Sequence, residues 1–293
     1  MNGPTIAIPE GVALALQALA RGDAANARAL YDKLLALPDI ADAYRHLVSL
    51  LGARLGLGPL VRSARDQSHA FYQPSRSCQI ERCGALYESL FGLKRDGTFV
   101  DVGAFDGEWL SNTAFLADLG WSGLMIEPHP VSFELCRARH QDNRRVHVMH
   151  CAVGAQEGTV RLMLGEALST TVPEQRALYR DIPWARNFTG GGEVEVAQLR
   201  LDKLLDVFGV APGFDLLSID VEGAELSVLR SFDLGAWCPR AVIVEMMDQH
   251  QDFARDPRTL AEAAEIRRVF DAHGYAVRYA DSTNTVFARD PAA

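Results

Sequence analysis

The chain has 293 residues, enough for one large domain or one domain with a small appendage. Apolar residues make up 48% and charged residues 23%, the balance of a globular enzyme, and no apolar run reaches membrane-span length. The net charge of −9 argues against a nucleic-acid surface or an anionic membrane as the main partner, and the five scattered cysteines lack CxxC spacing. Reduced thiols and the absence of a basic-then-apolar leader in "MNGPTIAIPEG" set the expected location as cytoplasmic. Residues 1–70 read as a helical N-terminal appendage, with breaks at Gly22-Asp23 and Pro38-Asp39. The order of Gly22, Asp23, Ala27, Tyr31 and Pro38 is that of a single tetratricopeptide-like hairpin. With one repeat where a solenoid needs about three or more, packing on the main domain or on a second subunit of a homo-oligomer is expected rather than peptide binding.

Residues 71–293 form the second predicted unit, opening on a polar, glycine- and proline-bearing connector. From Gly97 short apolar strands alternate with helical stretches. Strands are predicted at Phe99–Val102, Gly123–Ile126, Val146–Cys151, Thr159–Leu164, Val194–Leu199, Asp215–Ile219 and Ala241–Val244. Helices are predicted at Trp109–Leu119, Val131–His140, Asp202–Phe208 and Ala224–Phe232. This alternation implies an α/β fold with a doubly wound, mostly parallel, seven-stranded sheet. At the end, Tyr275–Tyr279 and Thr285–Ala288 flank a turn, so one strand is reversed. Residues Gly165–Gly192 interrupt the pattern as a long irregular insertion, with Trp184, Asn187 and Phe188 as candidates for a lid.

The stretch "FVDVGAFDGEWLSNT" (residues 99–113) is a strand that breaks at Gly103 and resumes after Gly107. The dinucleotide fingerprint needs three glycines and free backbone N–H groups for a pyrophosphate; the middle glycine is missing here. Asp101, Asp106 and Glu108 would repel a pyrophosphate and favour a cation. S-adenosylmethionine has a sulfonium and an ammonium but no phosphate, and its one carboxylate would meet a helix N-terminus. The predicted cofactor residues are Asp101, Gly103, Ala104, Asp106, Gly107 and Asn112, then Glu127 and Pro128, and Ala152, Val153 and Asp220. Glu127 ends the second strand, where an acid accepts from ribose hydroxyls, and "CAVG" offers small residues to an adenine ring. Ser111, Asn112 and Thr113 fall in the predicted helix after the turn.

The segments "FVDVGAFDGEWLSNTAFL", "GWSGLMIEPHPVSFELC", "CAVG", "FDLLSIDVEGAELSVLRSFD" and "AVIVEMM" together resemble the FkbM-type S-adenosylmethionine-dependent methyltransferases over residues 77–289. The resemblance implies a Rossmann-like class I methyltransferase domain that methylates oxygen on sugars, glycans or secondary metabolites. "SCQIERCGAL" is only loosely like that family's serine–glutamine–acid stretch, and Gln79 is given no cofactor role.

Methyl transfer to an alcohol is an in-line displacement that needs alignment and removal of the hydroxyl proton. Asp220, Glu222, Glu245 and His129 are the predicted catalytic residues, with His250 a further candidate base. An alternative is that Asp220, Glu245 and Asp248 hold Mg²⁺, which would acidify the hydroxyl. Two rival functions stand beside this one: a nicotinamide oxidoreductase, and a non-catalytic module that binds a cofactor or a partner. The expected partner is a small-molecule or glycan hydroxyl compound.

Overall fold

The computed structural model describes residues 14, 18, 23–35, 75 and 77–289. Within the predicted appendage lies helix α1, Ala24–Leu35, where Asp23 Oδ1 accepts from Asn26 N–H at 3.1 Å and caps the first turn. The second half of the predicted hairpin and the boundary at residue 70 lie outside the described residues. No described helix is long and apolar enough to cross a membrane.

Helix α2 (Cys83–Phe91) leads into strand β1 (Thr98–Val102), then α3 (Ala114–Asp118), β2 (Ser122–Ile126), α4 (Pro130–Arg139) and β3 (Val146–Met149). Strands β4 (Ala152–Val153) and β5 (Gly158–Met163) precede α5 (Pro173–Asp181), β6 (Glu193–Leu199) and α6 (Leu201–Val207). Strand β7 (Leu216–Ile219), α7 (Glu225–Leu229), α8 (Leu234–Trp237), β8 (Ala241–Glu245), α9 (Pro257–Ala272), β9 (Tyr275–Ala280) and β10 (Asn284–Arg289) complete the described chain.

Seven strands form one sheet in the order β3-β2-β1-β7-β8-β10-β9. All neighbours pair in parallel except those of β10, which runs antiparallel to both β8 and β9. The reversed strand is therefore next to the edge, inserted between β8 and β9. Burial on both faces explains why β7 and β8 are apolar apart from Ser218 and Glu245, since neither face of these strands meets water. On one face Val100, Val102, Leu217, Val242 and Phe287 pack against α6, α7 and α9. On the other, Phe99, Met125, Leu216, Ile243 and Val286 pack against α2, α3 and α4.

The structure departs from the predicted sheet in one region. The predicted strand Val146–Cys151 ends at Met149, bends, and resumes as β4 in a second sheet ordered β4-β6-β5. The predicted strands at 159–164 and 194–199 belong to that smaller sheet, where β5 and β6 pair antiparallel. Charged residues on β5 and β6, Arg161, Glu193 and Glu195, explain why these strands avoid the fully buried main sheet. Helix α9 was not predicted; Asp256 caps it by accepting from Thr259 N–H at 2.7 Å, and Pro257 occupies its first turn.

Candidate active site

Strand periodicity builds the site. Phe99, Leu216, Ile243 and Val286 face helices α2–α4, so residues two positions away along each strand face the same way. Those residues are Asp101, Ser218, Glu245 and Asn284, and they replace the apolar core with polar groups at the carboxyl edge of the sheet. Asp101 pairs with Ser218 across β1–β7, and Glu245 with Asn284 across β8–β10. Asp220 follows β7 directly, its N–H donating to Val102 O at 2.9 Å. Gly103 has φ +91° and approaches so closely that an added Cβ would lie 1.7 Å from Asp220 O. Only glycine fits there.

The turn after β1 uses its own amides. Gly103 and Ala104 both donate to Ile126 O, at 2.9 and 3.1 Å, and Phe105 N–H donates to Glu127 Oε2 at 2.8 Å. Glu127 Oε1 accepts from His129 N–H at 2.7 Å. Successive N–H groups of the turn are thus engaged within the protein, and a pyrophosphate would find no cradle there. The predicted helix at Trp109–Leu119 begins only at Ala114, because Asp106 Oδ1 holds a tight turn by accepting from Glu108 and Trp109 N–H at 2.9 and 2.7 Å. Ser111, Asn112 and Thr113 therefore precede the helix. Ser111 Oγ accepts from Thr113 and Ala114 N–H at 3.2 and 3.0 Å, so the helix N-terminus predicted to receive a carboxylate is already capped.

A cavity of about 280 Å³ opens at this edge. Of the predicted cofactor residues, Asp101, Gly103, Ala104, Asn112, Glu127, Pro128, Ala152, Val153 and Asp220 line it. So do Glu222, Glu245 and His250. The carboxyls are unusual. Burial pushes Asp101 up to about 6, although hydrogen bonds from Thr113 (2.5 Å) and Ser218 oppose the shift. Burial likewise pushes Glu127 up to about 8 against its two amide donors, and Asp220 up to about 6. Glu222 and Glu245 are held well above the usual carboxylate range by burial, with Asp220 adding repulsion to each. Asp220, Glu222 and Glu245 each offer a ligand atom, all within 4.8 Å of one another.

Several predicted residues take other roles. Asp106 and Gly107 shape the turn without lining the cavity. Glu108, predicted as a cofactor-side acid, pairs instead with buried Arg139 at 2.7 Å and accepts from Ser75 Oγ at 2.6 Å. His129, expected as a base, lies off the cavity wall, where its Nδ1 caps α4 by accepting from Ser132 N–H at 3.2 Å. Asp248 is drawn away by Arg267 at 2.9 Å, so Glu222 takes its place as the third acid. Gln79, given no role from sequence, lines the cavity and hydrogen-bonds Asp220.

The insertion after β5 is more ordered than its sequence implies. It contains α5, and Tyr179, Ile182 and Ala185 pack with Phe253 in a small apolar core of their own. Two contacts fasten it to the site: Thr170 Oγ1 donates to Glu222 O at 2.7 Å, and Tyr179 OH donates to Glu222 Oε2. Glu222 sits at φ +55°, in the left-handed region uncommon for its type, and these bonds hold it there. Trp184, Leu168 and Ser169 bring the insertion to the cavity wall. Sequence reasoning missed the Tyr179–Glu222 bond and the cavity-lining Phe105 and Trp109. It also missed Asn284, a buried amide whose Nδ2 and Oδ1 have no hydrogen-bond partner.

The chain is 29% identical to "Methyltransferase 1" of Beauveria bassiana over 155 residues, 48% of this chain and 60% of that protein. It is 32% identical to "Methyltransferase sdnD" of Sordaria araneosa over 145 residues, 42% of this chain and 56% of that protein. The matches thus span under two thirds of either relative. Among solved structures, the O-methyltransferase from Bacillus cereus in complex with SAH aligns at 12% identity and a TM-score of 0.41, covering 88% of this chain and 96% of that one. The Methyltransferase FkbM domain matches residues 101–277, more than half of the chain, and the chain therefore belongs to the FkbM methyltransferase family.

Proposed function

We propose that the protein is an S-adenosylmethionine-dependent O-methyltransferase acting on a hydroxyl of a small molecule or glycan. One observation carries the reading. Asp101, Glu127, Ala152-Val153 and the acids Asp220, Glu222 and Glu245 come from five separate strand ends, yet all line one cavity. Ligands of open α/β sheets sit at such an edge. The engaged amides of the turn weigh against the dinucleotide rival, and the intact acid set weighs against a non-catalytic module.

The cofactor fits the donor set. Glu127 presents a carboxylate fixed by two amides, with lone pairs left for ribose hydroxyls. Ala152 and Val153 give a flat, small-residue wall for a base, and the side-chain amides of Gln79 and Asn112 suit an amino-acid end. Bound there, S-adenosylmethionine supplies an electrophilic methyl group. Asp220 is the group we assign to the hydroxyl proton: at about 6 its conjugate acid lies near neutrality, which makes the carboxylate a stronger base than an ordinary aspartate while leaving it mostly ionised at pH 7. Gln79 orients Asp220, and Tyr179 fixes Glu222 beside it. The insertion covers the cavity and limits water.

The 4.8 Å cluster of Asp220, Glu222 and Glu245 favours a second arrangement, in which these oxygens hold Mg²⁺. The residues fit a hard cation in type and number of donors. One experiment separates the readings: release of S-adenosylhomocysteine is followed with hydroxylated acceptors, in Mg²⁺ and in EDTA. Turnover that survives EDTA and falls at least 100-fold in Asp220→Asn supports the base. Turnover abolished by EDTA and restored by Mg²⁺ supports the metal. No cofactor-dependent methylation of any hydroxyl contradicts the proposal.

A further inference from the structure

The charge on the cavity wall is one-sided. Six acidic residues line it, namely Asp101, Glu127, Glu166, Asp220, Glu222 and Glu245, and among the described residues no lysine or arginine does. Arg176 of the insertion and Arg258 and Arg267 of α9 have other work. Arg176 donates to the carbonyls of Thr189 and Gly191 at 2.8 and 2.7 Å, and Arg258 to Gly223 O at 2.9 Å and to Glu262. Arg267 is paired with Asp248. None of these three lines the cavity. A phosphate or carboxylate on the acceptor would be stripped of water among these carboxyls, with no lysine or arginine of the described residues on the wall to pair with it.

The remaining wall is apolar and aromatic. Phe105 and Leu110 both line the cavity at φ +48° and +52°, a conformation uncommon for bulky side chains. Trp109 stands between them in sequence and meets Phe105 edge to face at 6.0 Å. Leu110 is 40% exposed and Trp184, at the end of the insertion, 43%. Large apolar side chains left open at a cavity mouth, Leu110 among them in a left-handed backbone conformation, mark a contact surface for a ligand.

From these two observations we infer the class of acceptor: an uncharged or cationic compound that offers an apolar ring face, in preference to anionic acceptors such as nucleoside-diphosphate sugars, sugar phosphates and carboxylic acids. The inference rests on the methyltransferase reading only in calling the occupant an acceptor. The charge preference belongs to the cavity itself.

Three probes with one ring and one chain length test it: tryptophol (neutral), tryptamine (cationic) and indole-3-acetate (anionic). Their binding to the full-length protein is measured by ligand-observed NMR, with and without saturating S-adenosylhomocysteine. The expected result is binding of tryptophol and tryptamine at least 10-fold tighter than indole-3-acetate, and weakening of both in Trp184→Ala. Equal or tighter binding of indole-3-acetate overturns the inference, as does no binding by any of the three. Failure of S-adenosylhomocysteine to bind would instead strike the methyltransferase reading, while the free protein still reports the charge preference.

Discussion

Gly103→Ala is the substitution whose cost the structure specifies best. An alanine Cβ would lie 1.7 Å from Asp220 O and 2.7 Å from Asp220 C, where ordinary contacts start near 3.4 Å. The β1 and β7 termini would have to part by well over 1 Å. Forcing an L-residue to φ +91° costs on the order of 1–2 kcal/mol, and overpacking about 1–3 kcal/mol more. A loss of roughly 2–5 kcal/mol is expected in urea unfolding. The displacement falls between Asp101 and Asp220, so affinity for S-adenosylmethionine in calorimetry should drop at least 10-fold in the protein that remains folded. Stability within about 0.5 kcal/mol of the parent, with unchanged affinity, would refute the packing argument.

Other outcomes follow from the same geometry. Glu108→Gln leaves buried Arg139 with one fewer carboxylate; unfolding stability should fall by about 1–3 kcal/mol with cofactor affinity unchanged, and lost affinity would restore Glu108 to the site. Tyr179→Phe removes the donor to Glu222, so limited proteolysis should cut the 165–192 insertion faster and turnover should fall about 10-fold. Unchanged proteolysis would show that the Thr170–Glu222 bond and the apolar contacts around Phe253 hold the insertion without Tyr179 OH. Stability should also depend on pH. Glu127 rises from 4.5 to about 8 and Asp101 from 3.8 to about 6 on folding, so the folded state binds more protons in this range. Stability is full below about pH 4 as far as these groups are concerned and is lost as pH rises towards 8, by a few kcal/mol in all. Urea midpoints at pH 6 and 8.5 check the sign; a higher midpoint at 8.5 contradicts it.

Much of the fold was legible because parallel strands buried on both faces are nearly continuous in apolar residues, broken in β7 and β8 only by Ser218 and Glu245. The hairpin at the end was legible from its turn residues. Helix α9 was within reach: Asp256-Pro257 is a start signal, and Ala263, Ile266 and Phe270 repeat at helical spacing. The smaller sheet was not, since a two-residue strand such as β4 carries no periodic signal. The residues expected at strand ends do lie at the carboxyl edge of the sheet, because their position alone brings them there. The errors fell where a side chain chose between solvent, a cap and an ion pair. His129 became a cap, while Glu108 and Asp248 were claimed by arginines distant in sequence or on another element. Such long-range partners leave no local trace. Gln79 and Tyr179 act through contacts to Asp220 and Glu222 that only the folded chain creates.

The central claim is that the acidic cavity is built for a cationic nucleoside cofactor. Calorimetric titration at pH 7, in two buffers of different ionisation enthalpy, measures affinity and proton exchange together. The account predicts that S-adenosylmethionine binds and displaces the proton that Glu127, raised to about 8, holds at pH 7, while NAD gives no binding heat. Binding of NAD, or binding of S-adenosylmethionine with no proton release, would contradict it.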